Sequence, residues 1–255
     1  MSSVHGTPAV ADRWIRSLTA RSAYRIQLVC FPHAGGTANY FLPLARTLPP
    51  EVEVLAVQYP GRQDRRAEPS RTSIAELVDE ADAVLRARLA GPYAFFGHSM
   101  GAVIAHEVTQ RRAGAGARLP QRLFVSGRRA PDQPPCRPDP PRTDVGILAD
   151  LRAAGGTHPL FLEDAELRAE LLRVMRADYQ AIDAYAWNPR PPVDCPITAL
   201  TGDADPQASV AAVRAWSAHT SAGFDLRVFS GGHFYLDEHR PEVATAIGQG
   251  LVPMP

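Results

Sequence analysis

The sequence predicts an α/β fold in which a mostly parallel β-sheet is covered by helices on both faces. From residue 25 onward, short runs of β-branched and aromatic residues alternate with longer helical patterns, which is typical of parallel strands joined by crossover helices. The chain has 255 residues, of which 45% are hydrophobic and 21% charged, as in an ordinary globular protein. This length suffices for one sheet between two helical layers, so we expect residues 1–255 to form a single domain.

The individual elements follow from the local patterns. Strands are predicted where β-branched and aromatic residues cluster, at residues 26–31, 52–58, 93–96, 123–126, 197–201 and 226–229. Helices are predicted where apolar residues recur three and four apart, at residues 40–48, 74–89, 102–112, 209–219 and 241–251. Residues 1–22 show no sustained period, so we expect them to form a loose lead-in.

The alternation breaks once, between the predicted strands at 123–126 and 197–201. Residues 130–142 contain six prolines, which exclude a regular helix and a central strand. Helical patterns then follow at 144–154 and 163–187. A plain crossover needs about a dozen residues. We therefore predict that residues 130–190 are a helical insertion that forms a lid, the alternative being a crossover that only packs on the sheet.

The charged residues balance, with 27 Lys and Arg against 27 Asp and Glu and an isoelectric point near 7.1. A neutral chain has no overall field that would attract nucleic acid or anionic lipid. The first 18 residues lack the apolar core of a signal peptide, and 18 apolar residues nowhere occur together. We therefore expect a cytoplasmic protein that binds neither nucleic acid nor membranes. We also expect a monomer.

The three cysteines, Cys30, Cys136 and Cys195, are odd in number and lack the paired spacing of a metal site. Cys30 falls inside an apolar predicted strand. We interpret it as a small hydrophobic residue rather than a reactive thiol.

The segment Gly97-His98-Ser99-Met100-Gly101 joins a predicted buried strand to a predicted helix. A serine that passes directly from strand to helix sits on a sharp, strained turn, at which glycines two positions to either side avoid Cβ collisions. The helix that follows directs free N–H groups and its positive dipole end at the turn. The segment therefore predicts a nucleophile elbow with Ser99 as the nucleophile.

A serine nucleophile needs a general base and a third group that orients the base. His233 follows a later strand and a double glycine, and we predict that it is the base. Asp203 and Asp205 follow the strand at 197–201, and we favour Asp205, because Asp203 is nearer the strand end and suited to bonding the turn. The chain order Ser, Asp, His is that of the α/β-hydrolase fold.

The oxyanion of an acyl-transfer intermediate needs backbone donors on two loops. The first predicted strand of the core is followed by His33-Ala34-Gly35-Gly36, whose small residues allow the backbone to approach an intermediate closely. We predict the N–H groups of Ala34 and Met100 as the donors. An ordinary strand-to-helix turn is the alternative interpretation of this segment.

Together, these motifs resemble the type II thioesterases of polyketide and nonribosomal peptide biosynthesis. The resemblance spans residues 24–240 and rests on Phe31-Pro32-His33-Ala34-Gly35-Gly36, Gln58-Tyr59-Pro60-Gly61-Arg62, Gly97-His98-Ser99-Met100-Gly101, Gly202-Asp203-Ala204-Asp205 and Gly231-Gly232-His233-Phe234. It implies a stand-alone hydrolase that removes stalled or wrong acyl groups from the phosphopantetheine arm of acyl- or peptidyl-carrier proteins. It also implies a triad of Ser99, Asp205 and His233, oxyanion donors at Ala34 and Met100, and no metal or cofactor.

Two groups of arginines occur in loops expected near the active-site end of the sheet. Carrier proteins usually present an acidic face, so these side chains are candidates for docking the carrier; solvated loop charges are the alternative. The candidates are Arg62, Arg65, Arg66, Arg128 and Arg129.

Two other functions compete with an editing thioesterase. One is another serine α/β hydrolase, such as a carboxylesterase or a chain-releasing thioesterase. The other is a non-catalytic scaffold that keeps the fold, which would be expected to lack at least one residue of the triad.

Overall fold

A computed structural model describes residues 13–19, 21, 23–136, 142–157 and 160–251 of the chain. Its strands are β1 (Ile15–Ser17), β2 (Ile26–Phe31), β3 (Val52–Val57), β4 (Tyr93–His98), β5 (Leu123–Ser126), β6 (Ile197–Gly202) and β7 (Phe224–Phe229). They form one sheet in the order β1-β3-β2-β4-β5-β6-β7. All neighbouring strands are parallel except β1 and β3.

The helices connect these strands as the alternating pattern predicts. The α-helices are α1 (Leu42–Thr47), α2 (Ile74–Arg88), α3 (Met100–Gly114), α4 (Asp144–Ala154), α5 (Leu160–Glu163), α6 (Ala165–Asp183), α7 (Val210–Arg214) and α8 (Arg240–Leu251). Short 3-10 helices span Ala38–Phe41, Gln63–Arg65, Ala215–His219 and Tyr235–Asp237. The predicted α/β class is confirmed. Within the described part of the chain, no helix has the length and apolarity needed to cross a bilayer.

The core lies on both faces of the sheet. Every residue of β2 is buried, and alternate side chains point to opposite sides, as a strand's period of two requires. Val29 and Phe31 belong to the apolar cluster that includes α2 and α3. Leu28 and Cys30 belong to the cluster that includes α1 and α8. Burial raises the pKa of the Cys30 thiol, which agrees with its interpretation as a small hydrophobic residue.

The predicted loose lead-in is wrong for part of residues 13–19. Trp14 and Ile15 are buried, and Ile15 lies opposite Val57 in the antiparallel pair of β1 and β3. The guanidinium of Arg65 lies 4.5 Å from the centre of the Trp14 ring. A three-residue edge strand is too short to show a period, so the sequence pattern does not reveal it. Residues 1–12 lie outside the described residues.

The insertion between β5 and β6 contains α4, α5 and α6. The helix predicted at 163–187 is divided at Asp164, whose side chain accepts the N–H groups of Glu166 and Leu167 and so caps the start of α6. α6 then ends at Asp183, four residues before the predicted end. Buried side chains of α4 and α6, including Leu151 and Met175, form a third apolar cluster, against which Ala34 packs. Residues 137–141, in the proline-rich stretch, lie outside the described residues.

Candidate active site

Ser99 lies between the end of β4 and the start of α3. Its backbone has φ 55° and ψ −116°, a strained conformation for a residue with a side chain. A Cβ atom on Gly97 would lie 2.2 Å from the carbonyl oxygen of Gly101, and one on Gly101 would lie 2.0 Å from that of Phe31. The two glycines therefore permit the sharp turn, for the reason inferred from the sequence.

The loops after β6 and β7 bring a carboxylate to a histidine. Oδ2 of Asp205 lies 2.8 Å from Nδ1 of His233, and both side chains are buried. The Asp203 carboxylate instead accepts the backbone N–H of Gly231 at 2.9 Å. Because β6 and β7 are parallel neighbours, their C-terminal loops lie side by side. The structure therefore places Asp205, rather than Asp203, against the imidazole.

Gly202 allows these two loops to approach each other. A Cβ atom at this position would lie 2.3 Å from the carbonyl oxygen of Gly231 and 2.4 Å from that of Gly232. Gly202 lies in the predicted Gly202-Asp203-Ala204-Asp205 motif, but no role was predicted for it. A glycine at a strand end often marks a close backbone approach, so the motif could have indicated this role.

The segments that carry Ala34 and Met100 are also adjacent. Met100 is the first residue of α3, and the first N–H groups of a helix have no acceptor within it. The close contact between Gly101 and the Phe31 carbonyl places this helix end beside the end of β2, three residues before Ala34. The helix N-terminus and the start of the small-residue loop thus lie close to each other at the serine turn.

Two cavities meet at this site. Ser99 and His233 both line a cavity of about 250 Å³, which also contacts Arg128 and Arg129. A second cavity of about 550 Å³ is lined largely by apolar side chains of the insertion, including Phe161, Leu167, Leu171 and Val174. The residues common to both are His33, Ala34, Leu151, Met175 and Phe234. The reacting side chains therefore open to a polar space, with an apolar space next to it.

Two further histidines lie near His233. Nδ1 of His98 is 2.9 Å from the Ser126 hydroxyl, which lies 2.7 Å from the hydroxyl of Tyr235. Burial lowers the pKa of His33 to about 3 and the pKa of His98 well below its ordinary value. Both rings are thus neutral at physiological pH and add no positive charge beside His233.

The structure corrects the interpretation of two arginines. Arg62 and Arg65 are 3% and 4% exposed, so neither offers its charge to a partner surface. Arg62 pairs with Asp178, and Arg65 pairs with Glu68. The prediction that these two arginines dock a carrier is therefore wrong, and so is the alternative of solvated loop charges. The sequence around Arg62 does not reveal its buried partner, because Asp178 is distant along the chain.

The other three arginines remain accessible. Arg66 is exposed at the apolar cavity, and Arg128 and Arg129 are half-buried beside Ser99.

Comparisons with known proteins agree with this geometry. Residues 26–251 match the family model described as a thioesterase domain. The chain is 43% identical over 243 residues to the thioesterase PikA5 of Streptomyces venezuelae, a match that covers 94% of this chain and 85% of that protein. It is 34% identical over 233 residues to the gramicidin S biosynthesis protein GrsT of Aneurinibacillus migulanus, covering 91% of each.

A solved structure, the type II thioesterase BorB from the borrelidin biosynthetic cluster, has a TM-score of 0.85 and 43% identity, and the match covers 94% of this chain and 98% of that chain. The RedJ thioesterase from the prodiginine pathway of Streptomyces coelicolor has a TM-score of 0.83 and 39% identity, covering 90% and 87%. The chain therefore belongs to the thioesterase family of α/β hydrolases, enzymes that hydrolyse acyl thioesters.

Proposed function

We propose that the protein is a stand-alone editing thioesterase, which removes stalled or aberrant acyl groups from the phosphopantetheine arms of carrier proteins in polyketide or nonribosomal peptide synthesis. The observation that carries this proposal is the buried contact of His233 with Asp205 in loops beside the strained Ser99 turn. The substrate class follows from relatives such as BorB, a type II thioesterase of a biosynthetic cluster.

The proposed mechanism has two acyl-transfer steps. The Ser99 hydroxyl attacks the thioester carbonyl while Nε2 of His233 takes its proton, and Asp205 holds the Nδ1–H of the ring. The N–H groups of Ala34 and Met100 stabilise the tetrahedral oxyanion. The pantetheine sulfur then departs and takes the proton from Nε2 of His233, which returns the ring to the neutral form needed for the next step. Since the thiol has a pKa of about 8.5, its expulsion needs little acid assistance. A water molecule activated by His233 releases the free acid and restores Ser99.

The two cavities suit the two arms of such a substrate. The apolar space lined by the insertion offers a site for the acyl chain, because aliphatic and aromatic side chains form most of its wall, beside charged residues such as Arg66 and Glu170. The polar space beside Ser99, with Arg128 and Arg129, offers a site for the pantetheine arm and its phosphate. In this arrangement the insertion acts as the lid over the acyl chain, and Arg66, Arg128 and Arg129 face the acidic carrier protein.

The competing functions differ in substrate or in the need for Ser99. A carboxylesterase would use the same residues on an oxygen ester. A non-catalytic scaffold would be expected to lack a triad residue, whereas Ser99, Asp205 and His233 are all present in the chain.

A hydrolysis panel tests the proposal. Carrier proteins loaded with acetyl, propionyl, malonyl, aminoacyl and longer acyl groups are compared with oxygen esters of the same acids. We expect turnover of the carrier thioesters, preference over the oxygen esters, and loss of turnover in Ser99→Ala with an unchanged melting temperature. Faster hydrolysis of the oxygen esters would favour a carboxylesterase, and full activity of Ser99→Ala would exclude the serine mechanism.

A further inference from the structure

We propose that Asp178, on the insertion helix α6, is a positioning residue for the oxyanion loop, defined here as residues 33–36. It holds this loop in the conformation that presents the Ala34 N–H, so that the oxyanion hole is complete only while α6 is docked. The inference rests on the proposed roles of Ser99 and Ala34.

The Asp178 carboxylate contacts the loop directly. Its Oδ2 accepts the backbone N–H of Gly35 at 2.6 Å. Nη2 of Arg62 donates to both carboxylate oxygens, at 2.6 and 2.7 Å, and Nη1 of the same guanidinium donates to the carbonyl oxygen of Gly36 at 2.6 Å. Asp178 and Arg62 are 1% and 3% exposed, so water does not compete for these bonds. Asp178 and Arg62 therefore bind the backbone of two consecutive residues of the loop, Gly35 and Gly36.

These bonds fix the residue next to the proposed donor. The N–H of Gly35 belongs to the peptide that follows Ala34, so its bond to Asp178 restricts rotation about Ala34. Gly35 has φ +75°, and a Cβ atom there would lie 2.5 Å from Sδ of Met175. Met175 and Asp178 are three residues apart on α6 and thus share a helix face. The loop conformation therefore matches the surface of α6 in shape as well as in hydrogen bonding.

The segment that carries Arg62 also contacts residues on both sides of this loop. The Arg62 guanidinium lies 4.8 Å from the centre of the Tyr59 ring, and the Tyr59 hydroxyl donates to the Pro32 carbonyl at 3.4 Å. Oε1 of Gln58 accepts the N–H of Ala38 at 2.8 Å. The body of the protein thus holds the residues that flank the loop, and α6 holds the loop itself.

The charge of the pair also suits this position. A lone carboxylate one peptide away from the hole would oppose the negative charge of the intermediate. The Arg62 guanidinium compensates for it, and it opposes the effect of burial, which raises the pKa of Asp178. Asp178 can therefore hold the loop without an uncompensated charge near the reacting carbonyl.

The test compares Asp178→Ala and Asp178→Asn with the parent enzyme on an acyl-N-acetylcysteamine, a small thioester. Asparagine keeps the size of the side chain, but its NH2 group must then face either the Gly35 N–H or the Arg62 guanidinium. Both of these are donors, so one hydrogen bond is lost. We expect kcat to fall about 100-fold for alanine and about tenfold for asparagine, with KM changed less than about twofold. Labelling of Ser99 by a fluorophosphonate, whose phosphoryl oxygen uses the same hole, should slow in parallel.

The matched control is Arg173→Gln. Arg173 also lies on α6 and donates to the Gly61 carbonyl at 2.9 Å, but it makes no contact with residues 33–36 among the hydrogen bonds described. It should keep the kcat of the parent enzyme. The pH at which kcat/KM rises should be the same in all variants, because the contact of Asp205 with His233 is unchanged.

A purely structural role would lower the melting temperature of the Asp178 variants while leaving kcat per folded enzyme intact, and that result would overturn the proposal. If the alanine variant does not fold, the isosteric asparagine variant alone provides the test. Failure of the proposed serine mechanism is separable, because the parent enzyme would then not be labelled at Ser99 by the fluorophosphonate.

Discussion

His233 and Asp205 are joined by a buried contact of 2.8 Å, whereas the carboxylate of Asp203, two residues earlier, bonds the backbone of Gly231. One loop after β6 thus provides two carboxylates with different partners. Asp205 contacts the imidazole, and Asp203 fixes the turn that presents it.

Asparagine substitutions separate these two carboxylates. Asp205→Asn should lower kcat by about 10³- to 10⁴-fold, because the amide no longer selects the tautomer and orientation of His233. Asp203→Asn should stay within about tenfold of the parent, since its side-chain oxygen can still accept the N–H of Gly231. Steady-state hydrolysis of a small thioester provides the measurement. Loss of turnover in the Asp203 variant alone would show that Asp205 is the wrong choice.

Gly202→Ala tests the close approach of the two loops. The added methyl would overlap two carbonyl oxygens, so we expect a loss of about 1–3 kcal/mol in the free energy of unfolding and a fall in kcat of about 100-fold as His233 shifts. Urea unfolding and thioester turnover measure the two effects. The control is Gly232→Ala in the same turn, where an added Cβ would meet no heavy atom within 4 Å. Equal effects in the two variants would contradict this account.

Leu167→Trp tests the site proposed for the acyl chain. Leu167 lines the apolar cavity one helical turn before Leu171, so a larger ring there should shorten the space without reaching Ser99. We expect kcat/KM to fall about tenfold for a long acyl thioester and to change little for acetyl. Leu160→Trp is the control, since Leu160 is 52% exposed and lines neither cavity. A uniform loss for all acyl lengths would argue against this site.

Arg66→Glu and Arg129→Glu test carrier docking. Reversing a charge that faces an acidic partner slows association, so the KM for an acyl-carrier protein should rise about tenfold at low salt and less at high salt. The KM for acyl-N-acetylcysteamine should not change. Arg227→Glu, on the edge strand β7, makes the same change in net charge and should have no effect. Docking would be refuted by parallel losses on the carrier-bound and small substrates.

His106→Leu tests the pH dependence of stability. His106 is fully buried, and burial lowers its pKa from 6.5 to about 3. Below pH 6.5 the unfolded chain therefore binds a proton that the folded protein does not, so stability is full above this pH and falls as the pH decreases toward 3. Each such group contributes a slope of about 1.4 kcal/mol per pH unit.

Removing His106 should reduce the slope by about that amount when the free energy of unfolding is measured in urea between pH 6 and pH 4.5. His33 and His98 have pKa values lowered in the same direction, so the variant should still lose stability in acid. Parallel curves for parent and variant would mean that His106 is protonated in the folded protein.

The parallel core was predictable because its inner strands, β2 to β6, are buried and joined by helical segments. The runs at β2 and β5 have no polar interruption longer than one residue, so composition alone identifies them. β1 was missed because its pairing with β3 is a tertiary contact that leaves no period in three residues.

The serine and histidine loops were predictable because each needs glycines at defined positions in a local turn. Asp178 was not, since it lies 143 residues from Gly35 and occupies an ordinary position on a helix. Arg62 was misread for the same reason, because a loop sequence gives no sign of a buried partner elsewhere. Residues that act through long-range contacts need the fold before they can be recognised.

One consequence of α6 concerns protein engineering. Leu167, Leu171 and Met175 are spaced four apart and line the apolar cavity, and Asp178 follows one turn later against Gly35. A redesign that shifts this helix to admit a bulkier acyl group would also move the carboxylate that contacts the loop after β2. Broadening the substrate range by backbone movement and keeping the turnover rate are therefore conflicting aims in this scaffold, and side-chain truncation at Leu167 is the safer starting point.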